Sequence, residues 1–123
     1  MRIFKNTWFS RFADREGITD DELREAVNRL EKEQTSSDLG GGVFKVRVAR
    51  SGEGKSGGYR VIVFFKSEKR TFYHYAYSKS DRANINEKEL WTFKQLARKY
   101  LSMSEEDLVK ALKVREFIEI IAG

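Results

Sequence analysis

The sequence predicts one α+β domain over residues 1–123, an N-terminal helical hairpin packed on a small antiparallel β-sheet and followed by C-terminal helices. Three observations carry that expectation. Apolar residues recur at helical spacing in both flanks of the chain, and they alternate at strand spacing in its middle. The connections between the middle strands are too short for crossovers, which makes their pairing antiparallel. A chain of 123 residues is also long enough for one domain with a core and too short for two ordinary ones.

Ile3 and Phe4, within Met1 to Lys5, form a short apolar start that can begin a strand. Asn6 or Thr7 then caps a helix over Trp8 to Glu16, with Trp8, Phe9, Phe12 and Ala13 along one side and Gly17 ending it. Thr19 with Glu22 three residues on is a capping box, and Leu23, Ala26, Val27 and Leu30 continue as one apolar stripe to near Gln34. Thr35 to Asp38 reads as loop. From Val43 the pattern alternates, with Phe44, Val46 and Val48 on one face and Lys45, Arg47 and Ala49 on the other. Ser51 to Gly58, SGEGKSGG, reads as a flexible basic loop. Tyr59 to Lys66 is a nearly continuous apolar run, as expected of a central strand. A turn at Ser67 to Arg70 leads to a third strand, Thr71 to Tyr77. Ser78 to Ile85 exits the sheet, and Asn86 with Glu89 caps a helix bearing Leu90, Phe93, Ala97, Tyr100 and Leu101. Ser104 opens a further helix with Leu108, Ala111 and Leu112, and Phe117 to Ile121 can add a last strand.

The charge is unevenly placed. Residues 43–82 hold ten Lys or Arg against three Asp or Glu, a net of +7, so the formal +5 of the chain comes from its middle and the flanks oppose it. A basic sheet between acidic helices points to a polyanionic partner. With no Cys and a single histidine, His74, disulfides, thiolate metal sites and cysteine nucleophiles are excluded, and no metal or other cofactor is expected. No apolar run approaches the ~18–20 residues of a membrane span, and the opening residues lack the pattern of a signal peptide. The expectation is a cytoplasmic protein with no membrane partner.

Lys45 and Arg47, two apart on a strand, leave the same sheet face about 7 Å from each other. Arg60 on the next strand, Lys79 and Arg82 past the third, and Lys55 in the basic loop can converge with them. Fixed cations on one concave face suit a phosphodiester and the extra charge of a pentacoordinate phosphorane. Tyr59, Tyr73, Tyr75 and Tyr77 offer stacking platforms for unpaired bases. Each feature also has a plain structural explanation: a solvated strand face for the cations, cross-strand packing for the tyrosines. Alternation places His74 with Phe72 and Ala76, opposite Tyr73 and Tyr75, in or near the core. Gly54-Lys55-Ser56 lacks the spacing and the following helix of a phosphate-binding P-loop. The acidic clusters at 20–22 and 105–107 are accounted for by helix capping.

The runs Asp38-Leu39-Gly40-Gly41-Gly42-Val43, Lys45-x-Arg47-x-Ala49-Arg50 and Gly54-Lys55-Ser56-Gly57-Gly58-Tyr59-Arg60 resemble the RelE/HigB-type toxins of type II toxin–antitoxin modules. Tyr77-x-Lys79-x-x-Arg82-x-Asn84-Ile85 matches the segment after the third strand there, and the likeness extends over nearly the whole chain. The resemblance implies a RelE-like fold and a toxin that enters the ribosome and cuts mRNA without a metal. In such a cut the ribose 2′-hydroxyl attacks the adjacent phosphate and leaves a cyclic phosphate and a 5′-hydroxyl. The implied partners are the ribosome, mRNA and a cognate antitoxin of helix-turn-helix type. Lys45 and Arg47 fall on base and phosphate-contact positions, Arg60 on the arginine that stabilises the phosphate, and Lys79 and Arg82 on an acid or phosphate-contact cluster. Arg50, Lys55, Tyr59 and Tyr77 are the expected RNA contacts. The chain lacks the histidine pair of some HigB proteins and a tyrosine after Arg82 where RelE proper has a C-terminal one. Two other readings stay open, a ParE-like gyrase poison on the same architecture and a non-catalytic RNA-binding regulator.

Overall fold

The computed structural model describes residues 1–33, 36–49 and 58–121. In chain order the elements are β1 (Arg2–Asn6), α1 (Thr7–Glu16), α2 (Asp20–Glu31), β2 (Ser36–Gly40), β3 (Val43–Val48), β4 (Tyr59–Lys66), β5 (Arg70–Ser78), α3 (Glu87–Leu101), α4 (Glu105–Lys113) and β6 (Phe117–Ile120). The strands form a single sheet in the order β2-β3-β4-β5-β1-β6. β1 pairs parallel to β5, and every other neighbouring pair is antiparallel.

This corrects the expected helical hairpin on a small antiparallel sheet. The sheet is six-stranded and mixed, and the chain opens with a strand inside it. The reason is physical. β1 is buried on both faces, Ile3 in one apolar cluster and Phe4 in the other, so it shows no alternation. Its parallel partner lies 68 residues away, with Ile3 opposite Thr71. Even Lys5 is buried, its Nζ 3.0 Å from the Asp20 carboxylate at the start of α2. β2 is a second correction. Its first three residues, Ser36 to Asp38, fall in the stretch expected as loop, because a polar edge strand has the composition of one. The second helix ends at Glu31, earlier than the expected Gln34, and Gln34 and Thr35 lie outside the described residues.

Helices cover both faces. On one, α1 and α2 place Phe9, Phe12, Ala13, Leu23, Ala26, Val27 and Leu30 against Val46, Val48, Val61, Val63 and Tyr73. On the other, α3 and α4 place Phe93, Ala97, Leu108 and Ala111 against Val43, Ile62, Phe64 and Phe72. β3, β4 and β5 form the expected antiparallel meander, with Arg47 opposite Arg60 and Arg60 opposite Tyr77. The meander is interrupted once: Ile62 pairs with Tyr75 but Val63 with Tyr73, so His74 is an extra residue in β5.

That bulge corrects the expected facing of the β5 side chains. Tyr73 and Ala76 point to the α1–α2 layer, while Phe72 and Tyr75 join the α3–α4 layer. His74 lies with the second group, stacked on Phe64 at 4.7 Å and edge-on to Phe93 at 5.2 Å. Asn6 holds the bulge. Its Nδ2 donates to the His74 carbonyl oxygen at 2.9 Å and faces His74 Nδ1 at 3.1 Å, while its Oδ1 accepts from Phe9 N–H at 2.6 Å as the N-cap of α1. Because that amide must donate to a carbonyl, His74 Nδ1 is an acceptor and its proton sits on Nε2. Burial brings the His74 pKa down to about 4.

Candidate nucleic-acid interface

α3 and α4 cover only part of their sheet face. The row of Val43, Phe64 and Phe72 lies beneath the helices; Lys45 follows beside Ile62, and Arg47 beside Arg60, toward the end of β3 and the start of β4. There the sheet opens into a cleft of about 430 Å³ lined by Ser36, Ser37, Lys45, Arg47, Arg60, Lys79 and Ala83. No carboxylate is among these lining residues. The alternation that sends Val46, Val48, Tyr59 and Val61 into the α1–α2 core sends the three cations to the opposite face.

Arg60 is the unusual member. It is 7% exposed, and its Nη1 is buried with no hydrogen-bond partner among the described residues. Its cross-strand neighbours are Arg47 on one side and Tyr77 on the other. A buried donor left unpaired costs roughly 1–3 kcal/mol, and more when charged. From behind the sheet, Arg29 of α2 donates to the Arg47 carbonyl at 3.1 Å and steadies the end of β3.

The rim at Ser78 to Asn86 is closely bonded. Lys45 Nζ donates to Asn84 Oδ1 at 3.3 Å, and Tyr77 hydroxyl donates to the same oxygen at 3.2 Å. Arg82 does not line the Lys45–Arg60 cleft. Its guanidinium forks on Glu89 at 2.5 and 3.0 Å, donates to the Asn84 carbonyl at 2.9 and 3.1 Å, and lies 5.5 Å from the Tyr77 ring. The fork with Glu89, followed by the bond to the Tyr75 hydroxyl, pushes the Arg82 pKa further up. Burial raises that of Tyr77 against the opposing fields of Arg82 and Arg60, which keeps the phenol a donor.

Of the residues expected at the site, the structure brings Lys45, Arg47, Arg60 and Lys79 together in one cleft. Arg82, Tyr77 and Tyr59 line a second one of about 320 Å³. Tyr59 points to the other sheet face, its hydroxyl donating to Glu16 Oε1 at 2.6 Å and its ring edge-on to Phe12. Arg50 and Lys55, with the rest of the expected basic loop over 51–57, lie outside the described residues. Ser36, Ser37 and Asn84 were not singled out in the sequence. The serines sat in a stretch with loop composition, whereas Asn84 was visible inside the Lys79-x-x-Arg82-x-Asn84 run. Among the described residues no group of three or more His, Cys, Asp or Glu is placed to hold a metal ion, and no helix is long and apolar enough to cross a membrane.

The fold is a mixed six-stranded sheet with helices on both faces, and its basic cleft has no carboxylate among the described lining residues. A protein-family model described as the RelE toxin of the RelE/RelB toxin–antitoxin system matches residues 1–120. The chain belongs to this family: it is a RelE-type toxin of a toxin–antitoxin module, and an antitoxin is its partner.

Proposed function

We propose that this toxin is an mRNA endoribonuclease that works on the ribosome, and so in the cytoplasm, and that its cognate antitoxin is a helix-turn-helix protein. The single observation that carries the reading is the cleft that brings Lys45, Arg47, Lys79 and the buried Arg60 together, with Arg60 Nη1 lacking a hydrogen-bond partner among the described residues. In the proposed reaction the scissile phosphate sits against Arg60 and Arg47. Lys45, once it has given up its own proton to solvent and stands as the neutral amine, takes the proton from the ribose 2′-hydroxyl as its oxygen attacks phosphorus. The bond to the 5′-oxygen of the next nucleotide breaks, and that oxygen takes a proton from the Lys79 ammonium. The products are a 2′,3′-cyclic phosphate and a 5′-hydroxyl. Stabilisation of the phosphorane by preplaced cations requires no rearrangement during the reaction, which is where such groups contribute most.

The test is to incubate the purified protein with a programmed mRNA, with and without ribosomes, and to map both ends of any cut. Ribosome-dependent cleavage leaving a cyclic phosphate, abolished in Lys45→Ala, is the expected result. A folded protein that cuts under neither condition would overturn the reading, and gyrase inhibition and plain RNA binding would then be measured.

A further inference from the structure

We propose that Asn84 is a positioning residue for Lys45, held by the Arg82–Glu89 fork at the start of α3, so that the Lys45 amine enters the cleft in one orientation. The proposal rests on the endoribonuclease reading for its consequence and on the bonding around Asn84 for its substance.

Lysine is a flexible side chain with a point charge, and nothing in β3 itself fixes where its nitrogen lies. Asn84 Oδ1 does. That oxygen receives Ile85 N–H at 2.9 Å, a local bond that fixes the amide plane, and then Tyr77 hydroxyl at 3.2 Å and Lys45 Nζ at 3.3 Å. The backbone of Asn84 is pinned independently by Arg82 Nε and Nη2 at 3.1 and 2.9 Å. Arg82 is fixed in turn by both oxygens of Glu89. Glu89 belongs to the capping box of α3: its Oε1 accepts from Asn86 N–H at 3.0 Å and its N–H donates to Asn86 Oδ1 at 2.8 Å. A short bonded route thus runs from the helix end through Glu89, Arg82 and Asn84 to the amine at the cleft.

The residue type matters. A neutral amide orients the lysine without adding charge. A carboxylate at the same place would pair with Lys45 and compete with phosphate for it. Asn84→Ala and Asn84→Asp therefore fail in different ways. Glu89→Gln removes the Arg82 Nη1 arm of the fork and the carboxylate charge, while the amide oxygen still accepts from the Asn86 N–H.

The experiment has two arms. In the free protein, side-chain NMR follows the Lys45 ε-methylene. The two ε-protons are expected to be inequivalent in the wild type, and to collapse toward the averaged signal of a free lysine in Asn84→Ala and Glu89→Gln. Identical Lys45 signals in all three proteins would overturn the proposal whether or not the toxin cuts RNA. In the second arm, single-turnover cleavage by Asn84→Ala is expected to slow roughly 10- to 100-fold. Its affinity for mRNA carrying a 2′-deoxy sugar at the cut site should stay within about twofold. For Asn84→Asp, the slope of log affinity against log salt should shrink by about 0.7, as for the loss of one phosphate contact to a single strand. Wild-type cleavage by Asn84→Ala would also overturn the positioning role. Absence of cleavage in the wild type would remove the ribonuclease reading alone, and the NMR arm would still decide the role of Asn84.

Discussion

His74 shows how one side chain couples local geometry to the pH range of the fold. It is neutral in the folded protein because burial disfavours its charge, and because an amide donor from Asn6 occupies Nδ1. Its folded pKa of about 4 lies below the 6.5 of an unfolded histidine, so its contribution is full above pH 6.5 and is lost as pH falls through 4. Between pH 7 and pH 4.5 the wild type should lose about 2–3 kcal/mol that a His74→Phe variant keeps. Urea unfolding at the two pH values checks this, and parallel losses in both proteins would contradict it. Asn6→Ala removes the N-cap of α1 and both bonds to the bulge together. It should cost roughly 1–3 kcal/mol by the same measurement.

At the scale of elements, the site depends on how the chain leaves β3 and enters β4. Gly58 stands immediately before β4, and a Cβ there would lie 2.2 Å from the Val48 carbonyl oxygen. That atom is backbone and cannot rotate away. Gly58→Ala should therefore force the strands apart two residues from Arg60, costing roughly 2–4 kcal/mol and weakening RNA binding at the same time. The sequence made β3, β4 and the four helices legible, since alternation and capping residues are local signals. It did not show β1 in a parallel pair with β5, because a doubly buried five-residue strand has no period to read. Nor did it show β2, whose solvent-facing Ser36 and Ser37 look like loop. The bulge at His74 was hidden for a related reason: one extra residue shifts the phase of everything after it, and only the partner strand reveals where.

For the whole molecule, the net +7 of residues 43–82 goes with a cleft in which four cations meet no carboxylate among the described lining residues. Lys45, Arg47, Arg60 and Lys79 were legible as a convergent set because strand geometry fixes which side chains share a face. The real part of Arg82 was not, since its fork with Glu89 depends on the path of the exit segment. If all four cations contact phosphate, the slope of log affinity for single-stranded RNA against log salt should be about −3. Arg47→Ala should reduce that slope by about 0.7. A slope near zero, measured by fluorescence titration between low and moderate salt, would contradict the cleft as the RNA-binding face.

The most direct test is the single-turnover rate of ribosome-programmed mRNA cleavage by Arg60→Ala beside the wild type, with ribosome affinity measured on the same preparations. A buried guanidinium that serves the transition state should be worth about 10²-fold or more in rate while affinity changes only a few-fold. Equal rates, or losses of rate and affinity in the same proportion, would mean that the cleft grips phosphate without acting on it.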